Sequence, residues 1–204
     1  MAAVRAVVQA EAAQLLADPL IGALVQRLIR ASTAAWDHSL QTAEMAGRLM
    51  KATGGSERDV LDAVRGGLLH DVGKATLPPD VLNKPGILSP EEWEMTKTHP
   101  KVGYDLLSPF CRQSPLLNDR ILDVVLHHHE RYDGSGYPDC LSGGAVAPLT
   151  TATAVADVWD ALTSARSYRA PYPREKALVI LSSSDLDHRY VAALLRLVSA
   201  EATS

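Results

Sequence analysis

The sequence predicts an all-α protein, and three observations carry that prediction. Apolar residues recur at helical spacing over nearly the whole chain. Aromatic residues make up only 5% of the 204, with a single Phe, so the core has to be built from Ala, Leu and Val, which favours packed helices over a sandwich of strands. A hydrophobic share of 47% with 22% charged residues marks a chain that folds throughout. The length suffices for one substantial domain without disulfide or structural-metal staples, and there is no internal repeat or low-complexity linker. Helix-length base rates then give about seven to nine helices.

The elements follow in order. Val4, Val7, Val8, Ala12, Leu15 and Leu16 mark one amphipathic helix. Ile21, Val25, Leu28 and Ile29 mark the next, which leads into Trp36, Leu40, Ala43 and Leu49 and closes at Gly54, Gly55 and Ser56. A further helix holds Val60, Leu61, Val64 and Leu68 and runs to His70 and Asp71, with Gly73 as its end signal. From Lys74 to Leu88 the period is lost and Pro78, Pro79, Pro85 and Gly86 accumulate, as in a connecting loop. Ser89, Pro90 and Glu92 form a capping-box start, and the helix that follows should break near Pro100 and resume over Val102 to Leu107. The next helix is expected from about Pro115, with Ile121, Val124 and Val125 on its apolar face. A glycine-rich loop covers Asp133 to Pro148, a helix covers Leu149 to Ser164, and Val191, Leu194, Leu195 and Val198 mark the last.

Composition also excludes function classes. A net charge of -4 argues against a surface made for a polynucleotide, which needs a basic footprint. No stretch approaches about 20 uninterrupted apolar residues, so no membrane span is expected. The opening MAAVRAVVQAEAAQLLADPL carries Glu11 and lacks a long apolar centre, so it does not read as a signal peptide, and a cytoplasmic location is expected. Cys111 and Cys140 lie far apart in no CxxC pairing and read as two reduced thiols.

Position makes the histidines informative. His70 and Asp71 continue the apolar face of Leu61, Val64 and Leu68, where an ionisable pair is costly unless it is paired or bound to a metal. Taken alone, the pair reads better as a helix terminus facing solvent. The face of Ile121, Val124 and Val125 continues onto His128 and His129, whereas His127 lines up with Arg120 and Asp123 on the polar side. Two neighbouring imidazoles on a core face suggest ligands, and an exposed histidine run is the alternative. Asp157 sits amid the apolar period of Ala154, Val155 and Val158 and is the better ligand candidate, with Asp160 as a cap or surface residue.

These residues carry a resemblance to the HD-GYP family of metal-dependent phosphohydrolases, from about Leu20 to Arg169 and more loosely to Leu197. The carriers are His38 in WDHS, HDVGK at 70 to 74, THP at 98 to 100, HHERYDGSGYP at 128 to 138 and ADVWDALTSARSYR at 156 to 169. The resemblance implies a single HD-type helical domain over residues 31–204, extended by additional C-terminal helices and a GYP-containing loop, with residues 1–30 as a helical segment packed on it or leading into it. It implies His38, His70, Asp71, His99, His128, His129 and Asp157 as metal ligands, with Asp71 bridging two metals. It further implies Lys74 at the scissile phosphate, Tyr137, Arg166 and Arg169 as substrate contacts, and supporting roles for Asp160, Gly134, Gly136 and Pro138. Imidazole and carboxylate ligands without thiolate suit two divalent ions, iron or manganese, which would make a bridging hydroxide from a shared water. The implied activity is hydrolysis of cyclic di-GMP to pGpG and onward to GMP. The alternatives are a catalytically poor, metal-retaining module that binds a cyclic dinucleotide or regulates a partner in cyclic di-GMP signalling, and a hydrolase for another nucleotide such as cyclic GMP-AMP.

Three positions depart from the family pattern. Ala34 stands one helical turn before His38, where members with three metals have a glutamate, so two metals and slow or incomplete conversion of pGpG are expected. Ser167 replaces a usual proline and Cys140 a common glycine. An exposed N-terminal amphipathic helix would point to a homodimer, although the same stripe can pack on the domain.

Overall fold

The apolar period of the first seventeen residues folds as read. In the computed structural model, which describes residues 2–165 and 169–202, helix α1 (Ala2–Ala17) buries Val4, Val8, Ala12 and Leu15. Its stripe packs on α3 and α4 of the same chain and so carries no argument for a dimer. The Asp18 carboxylate accepts the backbone N–H groups of Leu20 (2.8 Å) and Ile21 (3.1 Å), turning the chain into α2 (Gly22–Ala31). The Ser32 hydroxyl then accepts the Ala35 N–H and starts α3 (Thr33–Ala52), while a Ser56–Asp59 capping box starts α4 (Glu57–Leu69).

Helices α3 and α4 form the spine. A Cβ on Gly67 would lie 2.6 Å from the Ala43 Cα, so glycine there sets how closely the two helices approach. After α4 come a 3-10 turn (Val72–Thr76), the short α5 (Pro79–Leu82), α6 (Pro90–Thr96), α7 (His99–Leu107) and a second 3-10 turn (Ser108–Phe110). Then α8 (Asp119–His127), α9 (Pro148–Thr163), α10 (Arg174–Ser182) and α11 (His188–Ala202) complete the described chain, which contains no strand. Two apolar clusters flank the spine. One joins α1 and α2 to α3, α4 and α8 through Leu15, Ile21, Leu28, Leu68 and Ile121; the other joins α9, α10 and α11 to α3 through Leu49, Val155, Leu181 and Leu194. Each such fully buried side chain contributes about 1.5–3 kcal/mol relative to exposure.

The all-α expectation holds, but several boundaries move. Among the described residues there are eleven α-helices, more than seven to nine, because α5 forms inside the stretch read as loop and α10 carries too little apolar period to be seen. The Pro100 break falls earlier: α6 ends at Thr96, and Pro100 occupies the first turn of α7, where its missing N–H costs nothing. Helix α8 starts at Asn118, whose side chain accepts the Ile121 N–H, rather than near Pro115. Gly73 does not end a helix. It lies within the 3-10 turn, where a Cβ would sit 2.1 Å from the His99 carbonyl oxygen, so it permits close contact between that turn and α7. Among the described residues no single helix is long and apolar enough to cross a membrane.

Candidate metal centre

The fold converges five segments on one buried point. His38 projects from α3; His70 and Asp71 follow the end of α4; His99 opens α7; His128 and His129 follow α8; Asp157 and Asp160 lie one turn apart on α9. His70, Asp71, His99 and His128 are 0–1% exposed, and His38, Asp157 and Asp160 are 4–8% exposed. The helical phase that selects 128 and 129 over 127 matches these positions: His127 turns away to hydrogen-bond Asp123 (2.8 Å) and Asp139 (2.9 Å).

Asp71 sits at the middle with a different set of neighbours on each oxygen. Its Oδ1 lies 3.1 Å from His99 Nε2 and 3.8 Å from His128 Nε2. Its Oδ2 lies 3.4 Å from His70 Nε2, 3.7 Å from His38 Nε2 and 2.6 Å from Lys74 Nζ. The potential ligand atoms fall into two groups, each within 4.8 Å, His38 with His70 and Asp71, and His99 with His128 and His129. His38 Nε2 also lies 3.0 Å from Asp157 Oδ1, and His129 Nδ1 4.0 Å from Asp157 Oδ2.

The hydrogen bonds fix which ring nitrogen faces inward. Nδ1 of His70 donates to the Gly67 carbonyl (2.7 Å), that of His99 to Thr96 (2.7 Å) and that of His128 to Val125 (3.0 Å). In each ring the Nε2 lone pair is therefore presented to the centre. His99 Nε2 and His128 Nε2 stand 3.2 Å apart, so two lone pairs face each other, an arrangement that calls for a cation between them. His70 Nε2 and Asp71 Oδ1 are buried with no hydrogen-bond partner, which is expensive in a dry interior unless a metal satisfies them.

Protonation states agree with this donor set. Burial, together with the neighbouring imidazoles, holds His128 and His129 well below the usual histidine range, and burial also lowers His99. Burial opposes ionisation of Asp71, but His70 and Lys74 outweigh it and keep the carboxyl well below its usual range. Asp157 behaves likewise, through its hydrogen bond with His38. Neutral imidazoles beside ionised carboxylates are the forms that bind a divalent cation. His38 differs: burial works against its charge, yet hydrogen bonds to Asp157 and Asp160 raise it to about 9. The buried Asp160 holds that ring through Nδ1 at 2.5 Å and accepts the Ser164 hydroxyl on its other oxygen, so it is neither a cap for its own helix nor a surface residue.

Around this core lie the remaining residues of interest. Lys74 is partly exposed and borders a cavity of about 480 Å³ that opens beside His38 and Asp71 and is also lined by Ala34, Gln41 and Ser164. Tyr137 stacks on His129 with ring centroids 4.8 Å apart and planes 24° apart, and burial raises its hydroxyl so that it stays protonated. Gly134 takes a left-handed φ of 84°, as glycine allows, and Cys140, where the family commonly has glycine, takes φ 53°. A Cβ on Gly136 would come 2.4 Å from the Glu130 Cα, and Pro138 follows Tyr137 through a cis peptide bond. Arg169 is not among the residues that line the cavity: its guanidinium donates to the Ala161 carbonyl (2.6 Å) near the end of α9 and lies over the Tyr172 ring. Arg166 and Ser167 lie outside the described residues.

Sequence reasoning gave no role to Glu130. It is 2% exposed, and its carboxylate accepts the N–H groups of Asp139 (2.7 Å) and Leu141 (3.0 Å), tying the GYP loop to the end of α8. Its signal was a carboxylate directly after two inward histidines, with two glycines just beyond.

The HD domain family model matches residues 15–194. The chain belongs to the HD domain family, in its HD-GYP branch. It is 43% identical over 155 residues to the cyclic di-GMP phosphodiesterase response regulator RpfG of Xanthomonas campestris, covering 74% of this chain and 40% of the relative. It is 40% identical over 108 residues to the 3'3'-cGAMP-specific phosphodiesterase 2 of Vibrio cholerae, covering 53% of this chain and 20% of the relative. The HD-GYP chain thus spans less than half the length of these curated relatives. Its fold is that of Bd1817, an HDG"Y"P protein from Bdellovibrio bacteriovorus, with a TM-score of 0.66 at 19% identity over 80% of this chain and 52% of the other.

Proposed function

We propose that this HD-GYP chain is a metal-dependent phosphodiesterase that hydrolyses cyclic di-GMP to linear pGpG, with slow or incomplete onward cleavage to GMP. The observation that carries the reading is Asp71, a buried carboxylate presenting one oxygen to each of two histidine groups. Residues 31–204 are read as the phosphohydrolase domain and 1–30 as the helical segment packed on it, acting in the cytoplasm. The names of the relatives, a cyclic di-GMP and a 3'3'-cGAMP phosphodiesterase, support the substrate class.

His38, His70, Asp71, His99, His128, His129 and Asp157 would hold two divalent ions, and ligands without thiolate favour iron or manganese. When bound, such ions supply Lewis acidity, lowering the pKa of a water and drawing charge from phosphoryl oxygens. Ala34 puts no carboxylate one helical turn before His38, which supports two ions rather than three. Lys74 Nζ, held 2.6 Å from Asp71 Oδ2 and facing the cavity, neutralises a non-bridging phosphoryl oxygen as charge builds. Asp160 fixes the His38 ring through Nδ1, so Nε2 keeps its aim at Asp157 and Asp71. Tyr137, neutral and stacked on His129, covers one side of the centre and excludes water there. Arg166 and Arg169 are proposed as phosphate contacts; for Arg169 this requires release from the Ala161 carbonyl.

The test is anaerobic reconstitution with iron(II) or manganese(II), metal counting, and product analysis with cyclic di-GMP. Linear pGpG is expected, and Asp71→Ala should lose metal and turnover together. Tight metal binding with no linear product under either metal would reject the hydrolase and leave a metal-retaining binding module. Faster turnover of cyclic GMP-AMP would move the protein to the substrate of its Vibrio relative.

A further inference from the structure

The cavity beside Lys74 carries more acceptors than phosphate binding can use. Asp37 lines it from the same stripe of α3 as Ala34 and Gln41, at helical offsets of three and four residues. It is exposed and has no hydrogen bond or ion pair among the described residues. Asn83 also lines the cavity and spends its amide N–H groups on the Ala31 (2.9 Å) and Pro79 (3.2 Å) carbonyls, which leaves its Oδ1 as an acceptor. An uncompensated carboxylate beside a phosphate site repels the ligand's charge, so it makes sense only against a part of the ligand that donates hydrogen bonds.

We propose that this cavity is a nucleobase subsite that selects guanine, with the Asp37 carboxylate accepting from the paired N–H donors of the guanine edge and Asn83 Oδ1 adding an acceptor. The inference rests on the phosphodiesterase reading for its phosphate position and names the base that lies next to it. Guanine presents two adjacent donors, N1–H and N2–H, which a carboxylate accepts as a fork. Adenine presents a donor beside an acceptor, and a carboxylate leaves the acceptor facing its own charge. The volume, about 480 Å³, lies within the usual range for small-molecule sites. Gln41, whose amide can both donate and accept, does not discriminate between the two bases.

The test uses mononucleotides, which a diesterase does not turn over. Binding of GMP and of AMP to the manganese(II)-loaded protein is measured by titration calorimetry for the wild type and for Asp37→Asn, a surface change whose folding is checked by circular dichroism. The wild type should bind GMP at least roughly tenfold more tightly than AMP, and Asp37→Asn should abolish that ratio, since an amide pairs with adenine as well as with guanine. Equal affinities in the wild type, no binding of either nucleotide, or an unchanged ratio in the variant would each overturn the proposal. Turnover of cyclic di-GMP by the same preparation is a separate readout. A guanine preference without turnover keeps the subsite and rejects the hydrolase, whereas turnover without preference does the reverse.

Discussion

Gly73→Ala should damage the metal centre without replacing a ligand. The new Cβ would stand 2.1 Å from the His99 carbonyl oxygen and 2.7 Å from the Gly103 nitrogen, both backbone atoms with no rotamer to change. Relief requires the 3-10 turn and α7 to separate by roughly 1 Å, and strain of this kind costs about 1–3 kcal/mol. For a chain of this length each kcal/mol lowers the melting temperature by roughly 2–4 °C. The same separation pulls Asp71 from His99, now 3.1 Å apart, so metal affinity should fall roughly 10–100-fold, as when other supporting groups around metal sites are lost. The assays are thermal melting of chelated and metal-loaded protein and metal content after dialysis. Gly86→Ala is the control, since a Cβ there meets nothing within 4 Å. If Gly73→Ala melts like the control and retains its metal, the close approach is not what sets the spacing of the ligands, and the argument fails.

Three further outcomes are expected. His128→Ala should lose most of the bound metal while His127→Ala, whose ring pairs with Asp123 and Asp139, loses far less; equal losses by elemental analysis would contradict the facing read from helical phase. Glu130→Gln should speed hydrogen exchange at one of the Asp139 and Leu141 amides, because a carboxamide keeps only one acceptor oxygen, and unchanged protection at both would show that the carboxylate does not hold the loop. Asp59 should titrate near 2 rather than 3.8 by NMR, because the Ser56 hydroxyl and the Arg120 guanidinium favour its ionised form. Its depressed value adds stability that is complete above 3.8 and fades as pH falls towards 2, and Arg120→Ala should move the midpoint up; a wild-type midpoint at 3.8 would contradict the contact.

What the sequence made legible was whatever a local period records. Ile121, Val124 and Val125 fix a face, and that face carries forward to His128 and His129 because the backbone geometry is the same one turn later. The Ser89–Glu92 capping box was readable for the same reason, since both partners lie within four residues. Pairings between distant segments were not. Asp160 resembles a surface residue until α9 is laid beside α3 and its carboxylate meets His38, 122 positions away. Gly73 resembles a helix stop until α7 is brought against it. Helix α10 was missed because, of its apolar residues, only Ala177 and Leu181 are buried while Val179 is 69% exposed, which leaves little stripe to detect. The metal-ligand candidates therefore came from residue identity and motif order, and the division of labour between the two oxygens of Asp71 came from the fold.

The two ligand groups are also separate along the chain. His38, His70 and Asp71 precede the exposed turn that carries Gly86 and Ile87, and His99, His128 and His129 follow it. A cut between Leu88 and Ser89 would give one fragment with three of the seven candidate ligands and another with four, Asp157 included, and neither with a complete centre. Metal would then act as the glue between them, and its uptake would report reassembly of the halves. A metal held there would staple the polypeptide, and its occupancy would record whether the two halves have come together.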